Sequence, residues 1–152
     1  MKLLAEDFRE LVDKLNEYLS KDEKYRAVFE YTKKQFGEAT RLTAHNWAHA
    51  YRDTINAIVI GEAEKADMSI VLPAITMHDI GFLYGAIGRT HGAVGAEKVA
   101  EYLQDAGVDY SDKQKKKIDD IFVDIIELQK ESEQFKYILD EEREQKRKDA
   151  LH

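Results

Sequence analysis

The adjacent pair His78-Asp79 places an imidazole nitrogen beside a carboxylate oxygen, and these two ligand types can converge on one divalent ion. Three further histidines, His45, His49 and His91, lie close by in the chain, so four of its five histidines fall in one short stretch. Such a set favours metal-assisted hydrolysis. A bound ion polarises an oxygen and activates water there, and a nearby imidazole supplies a proton to the leaving group.

A polar stripe precedes this pair. His45, His49, Arg52 and Asn56 follow one another at steps of four, three and four residues, which places them on one face of a helix predicted over residues 43–66. Two imidazoles one helical turn apart can point into the same cavity. Arg52 is a candidate partner for a phosphate group because it lies on the same stripe.

The elements that must position these side chains are predicted to be helices throughout. One proline, eight glycines and long runs of helix-forming residues indicate an all-α fold, a compact bundle of about six to seven helices in one domain over residues 1–152. The first three predicted helices are 3–20, 25–37 and 43–66. The fourth is capped by Asp67 or Ser69 and ended by Gly81, and after a loop over 81–90 the fifth is capped by Thr90 and ended by Gly107. The sixth begins at Ser111 or Asp112, and a charged C-terminal helix covers 130–152.

Composition limits the possible partners. The chain has no cysteine, which excludes thiolate zinc sites, iron–sulfur clusters and disulfides, so any metal must be held by imidazole and carboxylate. With 30 acidic against 23 basic residues the net charge is -7, which repels polymeric nucleic acid. No leader or membrane-spanning stretch is recognisable, and a cytoplasmic protein is expected.

Three motifs together resemble the HD-domain metal-dependent phosphohydrolase superfamily: His45-Asn46-Trp47-Ala48-His49-Ala50, Met77-His78-Asp79-Ile80-Gly81 and His91-Gly92-Ala93-Val94-Gly95-Ala96-Glu97. The first motif is also similar to that of cyclic-nucleotide phosphodiesterases. The resemblance covers residues 40–105. It implies that His49, His78 and Asp79 are metal ligands, with Asp79 also orienting the water. It further implies that His45 is the general acid and that His91 belongs to a second metal or a phosphate pocket.

The resemblance also implies a further carboxylate ligand from a later helix, and here the chain departs from the family pattern. Asp140 is the predicted ligand, with Glu142 and Asp124 as rivals. The histidines typical of two-metal members are missing after the loop, which favours one metal. The cyclic-dinucleotide branch often has a lysine where this chain has Phe82, so that substrate is not assigned.

The expected function is hydrolysis of a small phosphorylated molecule, such as a nucleotide, by water activated on a divalent Mn, Mg, Co, Ni, Fe or Zn ion. Three alternatives remain open. One is a catalytically degenerate module for ligand binding or dimerisation, the second is a di-iron oxygenase of the HD type, and the third is a helical bundle with incidental histidines. Binding of a divalent ion that stabilises the native state would exclude the third alternative.

Overall fold

The described residues form six α-helices and one short 3₁₀ helix, which confirms the predicted all-α bundle. The computed structural model describes residues 5–87 and 90–151, and the side chains of all of these except 5, 6 and 129–138. The elements are α1 (Ala5–Lys21), α2 (Glu23–Glu38), α3 (Trp47–Ala63), α4 (Met68–Met77), the 3₁₀ helix (Ile80–Tyr84), α5 (His91–Asp105) and α6 (Asp112–Ala150). Within this described part of the chain, no helix combines the length and the apolarity needed to cross a membrane.

Helix α4 lies at the centre of the bundle. It packs against α2, α3 and α6, while α5 packs against the 3₁₀ helix and α6. Its sequence is apolar around most of its circumference, as a helix surrounded by others requires. Leu72, Ala74 and Met77 are almost fully buried. Because α4 ends at Met77, His78 and Asp79 emerge from the interior of the bundle rather than from its surface.

Two predicted helix starts are confirmed by their capping hydrogen bonds. The Asp67 carboxylate accepts a hydrogen bond from the backbone N–H of Ser69 at 3.1 Å. Ser111 and Gln114 form a reciprocal capping box, in which each side chain accepts a hydrogen bond from the other residue's backbone N–H. These local signals are readable in the sequence because every partner lies within one helical turn.

Three predicted boundaries were wrong. Helix α3 begins at Trp47 instead of residue 43, because Asn46 caps it. Helix α4 ends at Met77 instead of Gly81, and the first half of the predicted loop 81–90 belongs to the 3₁₀ helix. Gly81 does not take the expected left-handed conformation. That conformation is found at Gly85, with φ of 84°, where it ends the 3₁₀ helix.

The charged C-terminal helix predicted over 130–152 is the distal part of α6, not a separate element. No glycine or proline interrupts the sequence from Ser111 to Leu151, so nothing stops the helix once the capping box has started it. All side chains from Leu139 to Leu151 are exposed. The acidic residues of this segment are therefore solvated.

Two buried tyrosines provide a test of the core. The Tyr102 hydroxyl donates to Thr32 Oγ1 at 2.8 Å, whereas the Tyr110 hydroxyl has no hydrogen-bond partner among the described residues. Tyr102→Phe should lower the free energy of unfolding by about 1 kcal/mol, because it breaks a buried hydrogen bond. Tyr110→Phe should leave that free energy unchanged or raise it. Urea unfolding at pH 7 measures both variants, and an equal loss in the two would contradict this prediction.

Candidate metal centre

The first turn of α3 positions one half of the candidate site. Asn46 fixes the start of this helix, since its side-chain oxygen accepts from the His49 backbone N–H at 3.1 Å and its amide donates to the Thr43 carbonyl at 3.0 Å. His49 and Asp53 then lie one turn apart on the same face. His49 Nε2 is 3.1 Å from Asp53 Oδ2, and both side chains are about one-third exposed.

The end of α4 positions the other half. His78 follows the last residue of α4, and its Nδ1 donates to the Ile75 carbonyl. A carbonyl oxygen only accepts, so Nδ1 carries a proton and the lone pair of neutral His78 is on Nε2. His78 Nε2 lies 3.2 Å from Asp53 Oδ2. This is the tautomer and orientation of a metal-binding histidine, in which one ring nitrogen is anchored and the other is directed at the ion.

A close backbone approach brings His91 into the site. A Cβ atom on Gly81 would overlap the His91 carbonyl, so only glycine lets the 3₁₀ helix lie this close to the start of α5. His91 is buried, and its Nε2 lies 3.2 Å from Asp79 Oδ1. Thr90 precedes α5 as predicted, but its hydroxyl donates to the Ile87 carbonyl at 2.9 Å and does not cap the helix.

Asp79 is the centre of the cluster, with only 3% of its side chain exposed. Four imidazoles surround it. Oδ1 lies 3.4 Å from His78 Nε2 and 3.2 Å from His91 Nε2, while Oδ2 lies 3.2 Å from His49 Nε2 and 3.6 Å from His45 Nδ1. Burial on its own raises the pKa of Asp79. The hydrogen bond from His91 and the charges of His78, His91 and His49 outweigh burial and hold that pKa below its ordinary value.

The buried histidine at the end of α4 shows the opposite shift. Burial on its own lowers the pKa of His78, but its hydrogen bond to Asp53 and the charge of Asp79 raise that pKa above its ordinary value. The cluster therefore holds Asp79 as an anion and attracts positive charge, in the form of either protons or a metal ion.

Hydrogen bonds alone leave this cluster incompletely paired. The Nε2 atoms of His49 and His78 each lie within 3.4 Å of oxygens from both Asp53 and Asp79, yet each nitrogen carries at most one proton. Asp79 Oδ2 is buried without a hydrogen-bond partner among the described residues. A cation between these atoms would satisfy all of them together.

The spacing of the four groups also fits a divalent ion. One ligand atom from each of His49, Asp53, His78 and Asp79 can be chosen so that all four lie within 4.8 Å of one another. Ligands bound at about 2.1 Å from one ion are spaced about 3.0–3.5 Å apart. Two carboxylates match the charge of the ion, and the mixture of imidazole and carboxylate suits Mn, Fe, Co, Ni or Zn.

The structure brings together the three predicted ligands His49, His78 and Asp79 and adds Asp53, which was missed. It does not bring Asp140 to them, because the exposed Asp140 lies on the distal part of α6, 3.9 Å from Arg143. Its rivals Glu142 and Asp124 are also exposed and outside the cluster. The four-residue step from His49 to Asp53 was the sequence signal for the missing carboxylate.

His45 lies at the rim of the site, but on the turn before α3 and not on the helix as predicted. Its ring stacks on Phe82 at a centroid distance of 4.2 Å, and Phe82 in turn stacks on His91 at 4.4 Å. Arg41 donates to the Phe82 carbonyl at 2.8 Å, which ties the segment before α3 to the 3₁₀ helix. These contacts place an imidazole with 43% of its side chain exposed beside buried Asp79.

The predicted phosphate partner Arg52 lies outside the cluster. It is exposed and lines an open groove of about 560 Å³ that it shares with Trp47 and Tyr51. By helical spacing, both aromatic residues lie on the opposite side of α3 from His49 and Asp53. Arg52 borders the metal cluster in sequence but is not part of it.

Comparison of the chain with protein-family models, curated proteins and solved structures gives no match. The site is therefore interpreted from its own residues and geometry.

Gly81 provides a test of how the site is assembled. Gly81→Ala should lower the free energy of unfolding by about 1–3 kcal/mol, because the methyl group forces the 3₁₀ helix away from the His91 backbone. Gly37→Ala is the matched control. A methyl group there meets no atom within 4 Å, and alanine favours α2, so its stability should stay equal or rise by up to about 1 kcal/mol. Urea unfolding compares them, and a Gly81→Ala protein as stable as Gly37→Ala would contradict the close approach.

Proposed function

We propose that His49, Asp53, His78 and Asp79 hold one divalent metal ion. The observation that carries this proposal is the buried Asp79 carboxylate, whose Oδ2 has no hydrogen-bond partner among the described residues although imidazole nitrogens surround it. Burying an unpaired carboxylate oxygen costs free energy that a bound cation removes. The tautomer of His78 supports the same proposal, because its anchored Nδ1 leaves Nε2 free to coordinate.

We further propose that the centre hydrolyses a small phosphorylated molecule. The bound ion would supply an activated water and neutralise charge on a phosphoryl oxygen. The chain contributes the ligands for this ion, and these ligands differ in their exposure to solvent. Asp79 is buried, while Asp53 and His49 are partly exposed, so a substrate oxygen can approach from the side of Asp53 and His49. The resemblance to HD-domain phosphohydrolases supports this reaction class.

His45 is the proposed proton donor to the leaving oxygen. It is the most exposed histidine of the cluster, and Asp79 lies 3.6 Å from its Nδ1. An imidazole in this position can act as a general acid. Stacking on Phe82 fixes the plane of the ring, so that its other nitrogen is available to a substrate at the rim.

The substrate is proposed to be small, such as a nucleotide. The net charge of -7 disfavours a long polyanion, whereas one or two phosphate groups can be neutralised locally by the metal. Asp53 also bears on the alternative of a degenerate, non-catalytic module. That alternative rested on a missing carboxylate, and Asp53 supplies a carboxylate from α3.

The metal proposal is tested by titrating chelator-treated protein with Mn²⁺ or Ni²⁺ in a calorimeter. We expect one ion per chain and a thermal midpoint that rises with metal concentration. Asp53→Asn or His78→Ala should weaken the affinity at least about 100-fold, beyond the effect usual for a supporting residue. Asp140→Asn is the control and should bind as the unmodified protein does. If Asp140→Asn weakened the metal affinity as much as Asp53→Asn does, Asp140 on α6 would have to be counted as a ligand.

The hydrolase proposal is tested by phosphate release from nucleoside monophosphates and other phosphomonoesters, and by opening of cyclic nucleotides, with Mn²⁺, Mg²⁺, Co²⁺ or Ni²⁺ present. Chelation should abolish turnover. His45→Asn should lower kcat about 10²–10⁴-fold while metal stoichiometry stays unchanged, because it removes only the acid. Metal binding without turnover of any phosphorylated compound would leave the ion site standing and reject the hydrolase.

A further inference from the structure

A chain of three buried hydroxyl groups crosses the interface between α3 and α4 directly behind the candidate ligands. The Tyr25 hydroxyl lies 2.9 Å from Thr76 Oγ1, which lies 3.1 Å from Thr54 Oγ1, which donates to the Ala50 carbonyl at 2.8 Å. All four residues are at most 1% exposed. Thr54 is adjacent in sequence to Asp53, Ala50 is adjacent to His49, and Thr76 precedes His78 by two positions.

The direction of every hydrogen bond in this chain follows from counting protons. The Ala50 carbonyl can only accept, so the one proton of Thr54 is committed to it. Thr54 Oγ1 must then accept from Thr76, and Thr76 Oγ1 must accept from Tyr25. Each hydroxyl therefore donates once, the two threonine hydroxyls also accept once, and Thr76 links Tyr25 to Thr54.

We propose that the Tyr25–Thr76–Thr54 hydroxyl chain positions the two halves of the metal centre against each other. The proposal rests on the proposed metal site. The two threonines of the hydroxyl chain lie on the two helices that position the ligands. Thr54 is next to Asp53 on α3, and Thr76 is on α4, two residues before His78. Apolar contacts between helices tolerate small shifts, whereas a buried hydrogen bond is satisfied in one register only. Ligand atoms spaced 3.2 Å apart across this interface, between His49 and Asp79 and between His78 and Asp53, are sensitive to such a shift.

The bundle contains a matched control. Tyr102 donates to Thr32 at 2.8 Å in an equally buried tyrosine–threonine pair, but this hydrogen bond joins α5 to α2 and includes no side chain of α3 or α4. Thr76→Val and Thr32→Val each replace a buried hydroxyl with a methyl of the same shape and leave a tyrosine hydroxyl without its acceptor. Both are expected to lower stability. Only Thr76→Val should alter the geometry of the ligand set.

The test compares Mn²⁺ affinity, and the absorption spectrum of bound Co²⁺ as a signature of coordination geometry, in full-length Thr76→Val, Thr76→Ser and Thr32→Val. Thr76→Val should weaken Mn²⁺ binding about 10-fold or more and change the Co²⁺ spectrum. Thr76→Ser keeps the hydroxyl and should restore both. Thr32→Val should match the unmodified protein. Equal Mn²⁺ affinity in the two valine variants would overturn the positioning role.

A second measurement needs no metal. In the metal-free protein, His78→Ala is combined with each valine substitution in a double-mutant cycle of urea unfolding. If the hydroxyl chain sets the contact of His78 with Asp53, the unfolding constants for Thr76→Val and His78→Ala should couple at least about threefold. Thr32→Val and His78→Ala should be independent. Coupling without any Mn²⁺ binding would reject the metal site alone, and metal binding without coupling would reject the positioning role alone.

Discussion

A carboxylate that is almost completely buried stays ionised only where positive charge or hydrogen-bond donors compensate for the lost water. Asp79 meets this condition through His49 in the first turn of α3, His78 at the end of α4 and His91 at the start of α5. The same segments also pack through the apolar core around α4. The packing around α4 is arranged so that all of them reach one buried point.

Two features of the sequence allow these segments to converge on Asp79, and they act in different ways. Gly81 removes a side chain where the 3₁₀ helix and α5 meet, so His91 can reach Asp79. Thr54 and Thr76 place hydroxyls where α3 and α4 meet, so the polar atoms of that interface are paired in one register. The first feature is steric and the second is directional. Together they join α3 to α4 and the 3₁₀ helix to α5 around the Asp79 carboxylate.

The parts of this arrangement that the sequence predicted are those encoded locally. Helix periodicity, the Asp67 and Ser111 caps and the His78-Asp79 pair all depend on residues within one or two turns of one another. A family pattern pointed to Asp140 on α6 as the closing carboxylate, whereas Asp53 on α3 lies in the cluster. Which face of one helix meets the end of another depends on packing, and periodicity does not encode packing. The step from His49 to Asp53 carried the information, but the polar stripe was assigned to His45, His49, Arg52 and Asn56 without Asp53.

Asp53 supplies the carboxylate that was expected from Asp140, so the candidate site does not require a ligand at Asp140. Among the described residues, every candidate ligand lies between His49 and Asp79. Protons and the proposed divalent ion would therefore compete for one compact set of groups. Asp53 and Asp79 both favour the protonated form of His78, which raises the pKa of that imidazole. The proposed ion would displace this proton, because a coordinating imidazole must offer its lone pair. One ligand atom from each of the four side chains already lies within 4.8 Å of the others, so the proposed ion would require little rearrangement of the cluster.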